Sequence, residues 1–299
     1  MTTPATVRLV ETLRDAWQGL PRVLPTESKV AFAQRLLDLG FPRLDVGSFV
    51  SPSRVPTMAD TGEVLSRLRV PAGTRLTALV ASESGLQRLL AVRRSGGAAP
   101  DAPAVSEVLY PFSLSENFQR RNTERGREDA FALLESIVAG AHGAGRTVYA
   151  TISMAFGNNE GDPFDPAELR EWVARMHAAD EDRVGLADTT AMASPSSIAS
   201  IYATVMRDAR WPVPAAHLHV SPQNQRALVD AALDAGGRDL DAALGALGGC
   251  QFAKGAVSNV STLPFARHVA ERGLSLALPA AALAALPELA AAAQALAAG

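Results

Sequence analysis

Ala215-Ala216-His217-Leu218-His219-Val220 is a short apolar run that carries two imidazoles at i and i+2. Side chains of a β-strand alternate between faces with a period of two, so in a strand both rings project to the same side. On a helix the same spacing would turn them about 200° apart. Pro212, Pro214 and Pro222 flank the run and oppose a helix. Read as a strand, the stretch presents half of a metal site. The alternative is a pair of strand histidines hydrogen-bonded to backbone, and other carboxylate, amide and thiol groups must decide between the two.

Outward from this run, one unit recurs. Strands are predicted at 7–10, 44–49, 75–80, 105–111, 147–153 and 184–187, and helices at 26–39, 60–67, 84–93, 128–140, 166–178 and 196–207. A Gly/Ala/Pro stretch at 96–103 reads as a surface loop, and the charged pair Arg14-Asp15 is expected in the loop after the first strand. After the histidine run come a helix at 224–235, a weak eighth strand near 240–244 and a helix at 263–272. Eight strand–helix units favour a (β/α)8 (TIM) barrel over an open doubly wound sheet, and no early Gly-x-Gly-x-x-Gly turn supports the open sheet. The alanine- and leucine-rich tail has helical spacing, so residues 1–275 are read as the barrel and 276–299 as added C-terminal helices packed on the barrel or on a partner subunit.

A chain of 299 residues with 47% apolar composition can bury a large core. Its net charge of −3 gives no basic footprint, so nucleic acid is not expected as a partner. Cys250 is the only cysteine, which excludes an internal disulfide and fits a reducing compartment. The first six residues lack a basic and then apolar leader pattern, so a cytoplasmic protein is expected. The apolar run at 276–286 is short and interrupted by Pro279, and no membrane span is expected there.

In a barrel of this kind chemistry sits at the carboxyl ends of the strands. That rule gathers Arg14 and Asp15, Asp45 and Ser48, Ser153, Asp188 and Thr189, and His217 and His219. Individually each has an ordinary structural reading as a loop cap or ion pair. Together, a carboxylate and two imidazoles at one mouth leave open positions for oxygen ligands, which suits Mg²⁺, Mn²⁺ or Zn²⁺. Gly248 and Gly249 could carry the Cys250 thiol over that mouth, and Asn259 offers a neutral oxygen ligand.

These segments resemble a known family. Arg14-Asp15-Ala16-Trp17-Gln18-Gly19, Gly47-Ser48-Phe49-Val50-Ser51-Pro52, Leu114-Ser115-Glu116-Asn117-Phe118 with Asn122, Ala187-Asp188-Thr189, His217-Leu218-His219 and Gly248-Gly249-Cys250 are similar to motifs of 3-hydroxy-3-methylglutaryl-CoA (HMG-CoA) lyases. That family belongs to the metal-dependent barrel lyases that also resemble isopropylmalate and homocitrate synthases. The likeness runs in order from about Val7 to Thr262, and Ser113 to Gln119 and Gly157 to Pro163 match a bacterial branch. The resemblance implies Asp15, His217, His219 and Asn259 as ligands of Mg²⁺ or Mn²⁺, and Arg14 as the cation that polarises substrate oxygen. It implies Cys250 as a proton-transferring thiol and Asp188 as a catalytic aspartate, with Asp45 standing where many members have Glu. Gln18 and Asn122 match positions near the substrate, and Ser48 and Thr189 join them as substrate contacts. Three positions depart from the pattern: Val220 replaces an Asp, Gln251 a Pro, and Leu263 a Glu.

The implied reaction cleaves HMG-CoA to acetyl-CoA and acetoacetate. It needs a base for the hydroxyl proton, here His217, Asp188 or Asp45, and a proton donor for the departing enolate, here Cys250. Arg54, Arg120 or Arg121 would hold the CoA moiety of the acyl-CoA substrate, and a homodimer or higher homo-oligomer is expected. The alternatives are a lyase or synthase of the same barrel group that acts on another acyl-CoA or 2-oxo acid, and a non-catalytic barrel that binds a metal or ligand.

Overall fold

The computed structural model describes residues 5–95, 102–208, 211–249 and 257–299. Eight parallel strands form the sheet: β1 (Thr6–Thr12), β2 (Arg43–Ser48), β3 (Arg75–Leu79), β4 (Glu107–Ser113), β5 (Thr147–Ser153), β6 (Arg183–Asp188), β7 (Ala215–Val220) and β8 (Asp239–Ala242). They pair in chain order, and β1 pairs with β8 from Arg8↔Asp239 to Glu11↔Ala242. The sheet is therefore closed and has no free edge among these strands, which makes the fold the (β/α)8 barrel that the repeating units predict.

The surrounding helices are α1 (Leu13–Gln18), α2 (Thr26–Asp38), α3 (Thr61–Arg67), α4 (Glu83–Ala91), α5 (Glu116–Thr123), α6 (Arg127–Gly143), α7 (Pro166–Ala178), α8 (Pro195–Val205), α9 (Gln225–Asp234), α10 (Thr262–Glu271) and α11 (Ala280–Ala298). Local chemistry sets several starts. Ser82 accepts from the Gly85 amide, Asp165 from Ala167 before Pro166, and Ser194 and Ser197 form a reciprocal capping box. The loop expected at 96–103 falls largely outside the described residues.

Every residue of β7 is buried, as a parallel strand covered on both faces should be. Ala216, Leu218 and Val220 pack into the main apolar core between strands and helices, while His217 and His219, on the alternate face, line the barrel mouth. Ala215 shares that inner face and joins Leu109 and Tyr149 in a separate small cluster inside the barrel.

Two short helices were not apparent in the sequence. Arg14 and Asp15 lie in α1, not in a loop. Leu13, Ala16 and Trp17 are buried at helical spacing, which leaves Arg14, Asp15 and Gln18 on the other face of the same turn. Helix α5 is capped by Ser115, which accepts from the Phe118 amide, and it buries only Phe118 and Gln119. With so few apolar positions it gives no periodic signal.

The tail is one helix rather than several, with Pro279 at its start and Pro287 inside it. By length and composition this 19-residue helix could cross a membrane, which the shorter run at 276–286 did not indicate. In this fold Ala282, Leu286, Leu289 and Ala293 pack into the barrel core, and Arg22 donates to the Leu296 carbonyl at 2.6 Å.

Strand β2 ends against α3 with no spare room. A Cβ on Gly47 would meet Thr61 Cγ2 at 2.4 Å and Oγ1 at 2.7 Å. That hydroxyl accepts the Ser48 N–H at 3.1 Å and donates to the Met58 carbonyl at 2.8 Å. Gly47→Ala is therefore expected to cost about 1–3 kcal/mol by overpacking, measured as a lower urea midpoint. An unchanged midpoint would show that Thr61 can move aside.

Candidate active site

Strand alternation brings His217 and His219 to one face, and their Nε2 atoms stand 3.3 Å apart. Each ring is fixed by its other nitrogen. His217 Nδ1 lies 3.1 Å from Asp241 Oδ2, and His219 Nδ1 lies 3.0 Å from the Thr189 carbonyl oxygen. Both partners are acceptors, so both Nδ1 atoms carry a proton and both Nε2 atoms turn to the same point, within hydrogen-bond distance of each other. The two nitrogens can share one proton there, or offer two lone pairs to a metal ion that displaces it. Asp15 Oδ2 is 4.0 Å from His219 Nε2, and ligand atoms of Asp15, His217 and His219 all lie within 4.8 Å of one another. One carboxylate and two imidazoles fit a divalent ion.

Asn259 is placed by a short strand, β9 (Ser258–Asn259), which pairs antiparallel with β7 so that Asn259 sits opposite His219. Its Nδ2 donates to Asp15 Oδ2 at 2.8 Å and to the Leu247 carbonyl at 3.0 Å. Gly248, with φ of +77°, closes the turn beside it. A Cβ there would meet Asn259 Nδ2 at 2.4 Å and the Asp15 carbonyl oxygen at 2.7 Å. The position requires glycine both for its backbone and for its space. The Gly249 amide donates to Asp15 Oδ2 at 3.3 Å.

Arg14 joins the cluster to Asp45. Its Nη1 donates to Asp15 Oδ1 at 2.8 Å, and its Nε reaches Asp45 Oδ2 at 2.9 Å. Burial alone would raise the Asp15 pKa, but Arg14 and the two histidines outweigh it and hold the carboxyl well below its usual range. Asp45 is nearly fully buried, and that desolvation wins over Arg14, lifting it to about 6. One of its oxygens, Oδ1, has no hydrogen-bond partner among the described residues. Burial would lower His217, yet the Asp241 carboxylate holds it above its ordinary value, whereas burial and the neighbouring His217 push His219 down to about 4.

The mouth is a cavity of about 600 Å³ lined by Arg14, Asp15, Gln18, Asn122, Thr189, His217 and His219, among others. These predicted residues come together. Ser153 also lines it, and so do Arg22 and Arg54 at its edge, the latter paired with Glu124. Asp45 and Ser48 do not line it: Asp45 is buried behind Arg14, and the Ser48 Oγ accepts from the Val50 amide at 3.4 Å. Asp188 does not either, and its carboxylate accepts the N–H groups of Met192 (2.8 Å) and Ala193 (3.1 Å). That carboxyl is raised to about 6 by burial, against those amide bonds. Arg120 and Arg121 are absent from the lining and pair with Glu116 at 2.7 Å and Glu160 at 2.6 Å. Cys250 and Gln251 lie outside the described residues. Of the departures, Val220 faces the apolar core and Leu263 packs against it from the first turn of α10, so neither touches the imidazole pair.

Asp241 is the functional residue that the sequence reading missed. Asp239-Leu240-Asp241 has the same i, i+2 alternation as the histidine pair, one strand on, and that was the available signal.

A closed parallel barrel whose mouth offers a carboxylate and two oriented imidazoles to a divalent ion, with a guanidinium alongside, defines a metal-binding barrel enzyme. The chain belongs to the HMGL-like family, whose model matches residues 7–290. It is 29% identical to the cytoplasmic 3-hydroxy-3-methylglutaryl-CoA lyase of Rattus norvegicus over 87% of this chain and 73% of that protein. It is 31% identical to the (R)-citramalyl-CoA lyase of Chloroflexus aurantiacus over 83% of this chain and 78% of that one. The fold is similar to an HMG-CoA lyase from Acinetobacter baumannii solved in complex with coenzyme A and 3-methylmalate, with a TM-score of 0.86, 27% identity, and coverage of 98% of this chain and 91% of that one. The protein is an enzyme of the lyase class, and its relatives act on acyl-CoA thioesters.

Removing the acceptor behind His217 is expected to loosen the site. Asp241→Ala should weaken Mn²⁺ binding about 10–100-fold, read by titration calorimetry on protein shown to be folded. Wild-type affinity would mean that another group orients the ring.

Proposed function

We propose that this lyase cleaves 3-hydroxy-3-methylglutaryl-CoA to acetyl-CoA and acetoacetate with bound Mg²⁺ or Mn²⁺. The observation that carries the reading is the convergence of Arg14, Asp15, His217 and His219 at one strand-end mouth. Asp15, His217 and His219 would hold the ion, and Asn259 would join them by turning its amide oxygen inward. When bound, the ion supplies Lewis-acid stabilisation of the negative charge that develops on substrate oxygens.

The chain's own groups divide the remaining work. Arg14 is charged at any relevant pH and is held at Nη1 by Asp15 and at Nε by Asp45, so it presents a fixed cation to the thioester enolate. Asp45 backs Arg14 from outside the mouth: its Oδ2 holds the guanidinium, and its other oxygen, without a partner among the described residues, is buried, so Asp45 is suited to position Arg14 rather than to meet substrate. Asp188 commits its oxygens to the β6–α8 turn, which suits it to hold Thr189 and, through the Thr189 carbonyl, His219. The Cys250 thiol would protonate the departing enolate; Gly249, the described residue before it, lines the mouth. Arg22 and Arg54 are placed to meet the phosphates of the CoA moiety.

A second reading is cleavage of citramalyl-CoA, favoured by the 31% identity to the Chloroflexus enzyme. The two differ in product. Incubation with each thioester and Mg²⁺ or Mn²⁺, followed by mass spectrometry, should give acetyl-CoA and acetoacetate from HMG-CoA. Pyruvate from citramalyl-CoA, with no acetoacetate from HMG-CoA, would move the enzyme to the second reading. Cys250→Ala should lower kcat about 10²–10⁴-fold with metal content unchanged; near-normal turnover would remove the thiol from the mechanism.

A further inference from the structure

The end of the barrel opposite the mouth carries a second cavity of about 600 Å³. It is lined by five arginines, Arg8, Arg43, Arg75, Arg183 and Arg238, against the carboxylates Asp182 and Asp239. Three of the arginines, Arg43, Arg75 and Arg183, are the first residues of β2, β3 and β6, and Asp239 is the first of β8. Glu107, the first residue of β4, stands behind them with a side chain only 1% exposed.

The pairing within this ring is uneven. Asp239 takes Arg8 Nε at 2.8 Å and Arg43 Nη1 at 3.3 Å, and Glu107 takes Arg43 Nη2 at 3.1 Å and the Thr77 hydroxyl at 2.9 Å. Asp182 is occupied by His142 at 2.8 Å and the Val148 amide at 2.7 Å. Arg183 is left over. Its side chain is 13% exposed, and its nearest carboxylate contacts, to Glu107 and Asp239, are both 3.9 Å. Its Nε, Nη1 and Nη2 are buried and none makes a hydrogen bond among the described residues, while its guanidinium lies on the Tyr149 ring with Cζ 3.6 Å from the centroid. Arg75 likewise reaches Glu107 only at 3.9 Å. A buried guanidinium with its donors unsatisfied is costly, and five arginines line this cavity against two lining carboxylates, with Glu107, Glu181 and Asp241 acting on Arg183 from behind.

We propose that this cavity is a binding site for a small doubly charged oxyanion, separate from the acyl-CoA mouth. Arg183, covered at the floor, supplies charge from beneath, and Arg75 and Arg8, whose side chains are 53% and 56% exposed, supply the donors at its rim. The ligand offsets the excess of arginine over carboxylate in the cavity lining.

Inorganic phosphate is the probe, titrated into the full-length protein at constant ionic strength and followed by ³¹P NMR. Wild type should bind one phosphate saturably. Arg75→Gln should bind it about tenfold more weakly, the size of effect expected for loss of one charged contact, and Arg183→Gln should lose saturable binding. Arg75 is half exposed and makes one long contact, so its variant tests the site even if Arg183→Gln does not fold. The mouth variant Arg54→Gln should bind phosphate as wild type does. Absence of saturable binding, equal affinity in Arg75→Gln, or loss of binding in Arg54→Gln alone would each overturn the proposal, the last by assigning the phosphate to the mouth.

Discussion

The site depends on two hydrogen bonds made away from the mouth. Asp241 and the Thr189 carbonyl each take an Nδ1 proton, and this turns the two imidazole Nε2 atoms toward each other, 3.3 Å apart. Without those acceptors the rings could rotate or take the other tautomer, and the pair would be two unrelated core histidines. With them, both Nε2 atoms are aimed where a cation could take their lone pairs, and the carboxylate of Asp15 completes the field. The rest of the mouth follows from this point. Arg14 neutralises Asp15 from one side, Asn259 and Gly249 donate to it from the other, and Gly248 makes the close approach possible.

Barrel closure explains why residues distant in the chain can meet so closely. β7 and β8 are neighbours, so Asp241 lies beside His217; β8 pairs with β1, so the turn that follows β1 brings Arg14 and Asp15 to the same rim. Each strand also has a starting end, and that end collects charge of a different kind. Arginines and carboxylates on the first strand residues are separated from the mouth by the small apolar cluster around Leu109, Tyr149 and Ala215. The barrel interior is thus polar at both ends and apolar between them.

Much of this was legible in the sequence because it is periodic. Alternation placed both histidines on one face, and the recurring strand–helix unit gave the barrel; β5 and α7 begin and end where the pattern puts them. What escaped lacked period or length. Helix α1 is a single short stretch that reads as the end of a strand, and α5 buries too few apolar residues to be visible. Asn259 was recognised as a residue type, but its place opposite His219 comes from a two-residue strand that no pattern signals. Asp241 and the arginine ring are tertiary facts: each is an ordinary charged residue until closure brings its partner alongside. Ser48 and Asp188 sit at strand ends as the rule requires, yet their side chains serve backbone amides, a choice the sequence does not record.

The central claim is that one divalent ion is held through both Nε2 atoms. Pulsed EPR on the protein loaded with one equivalent of Mn²⁺ reads nitrogen coupling at the ion directly. Two histidine nitrogens should couple in the wild type, and one in each of His217→Ala and His219→Ala. An Mn²⁺ signal with no nitrogen coupling, or one unchanged by either substitution, would contradict the account.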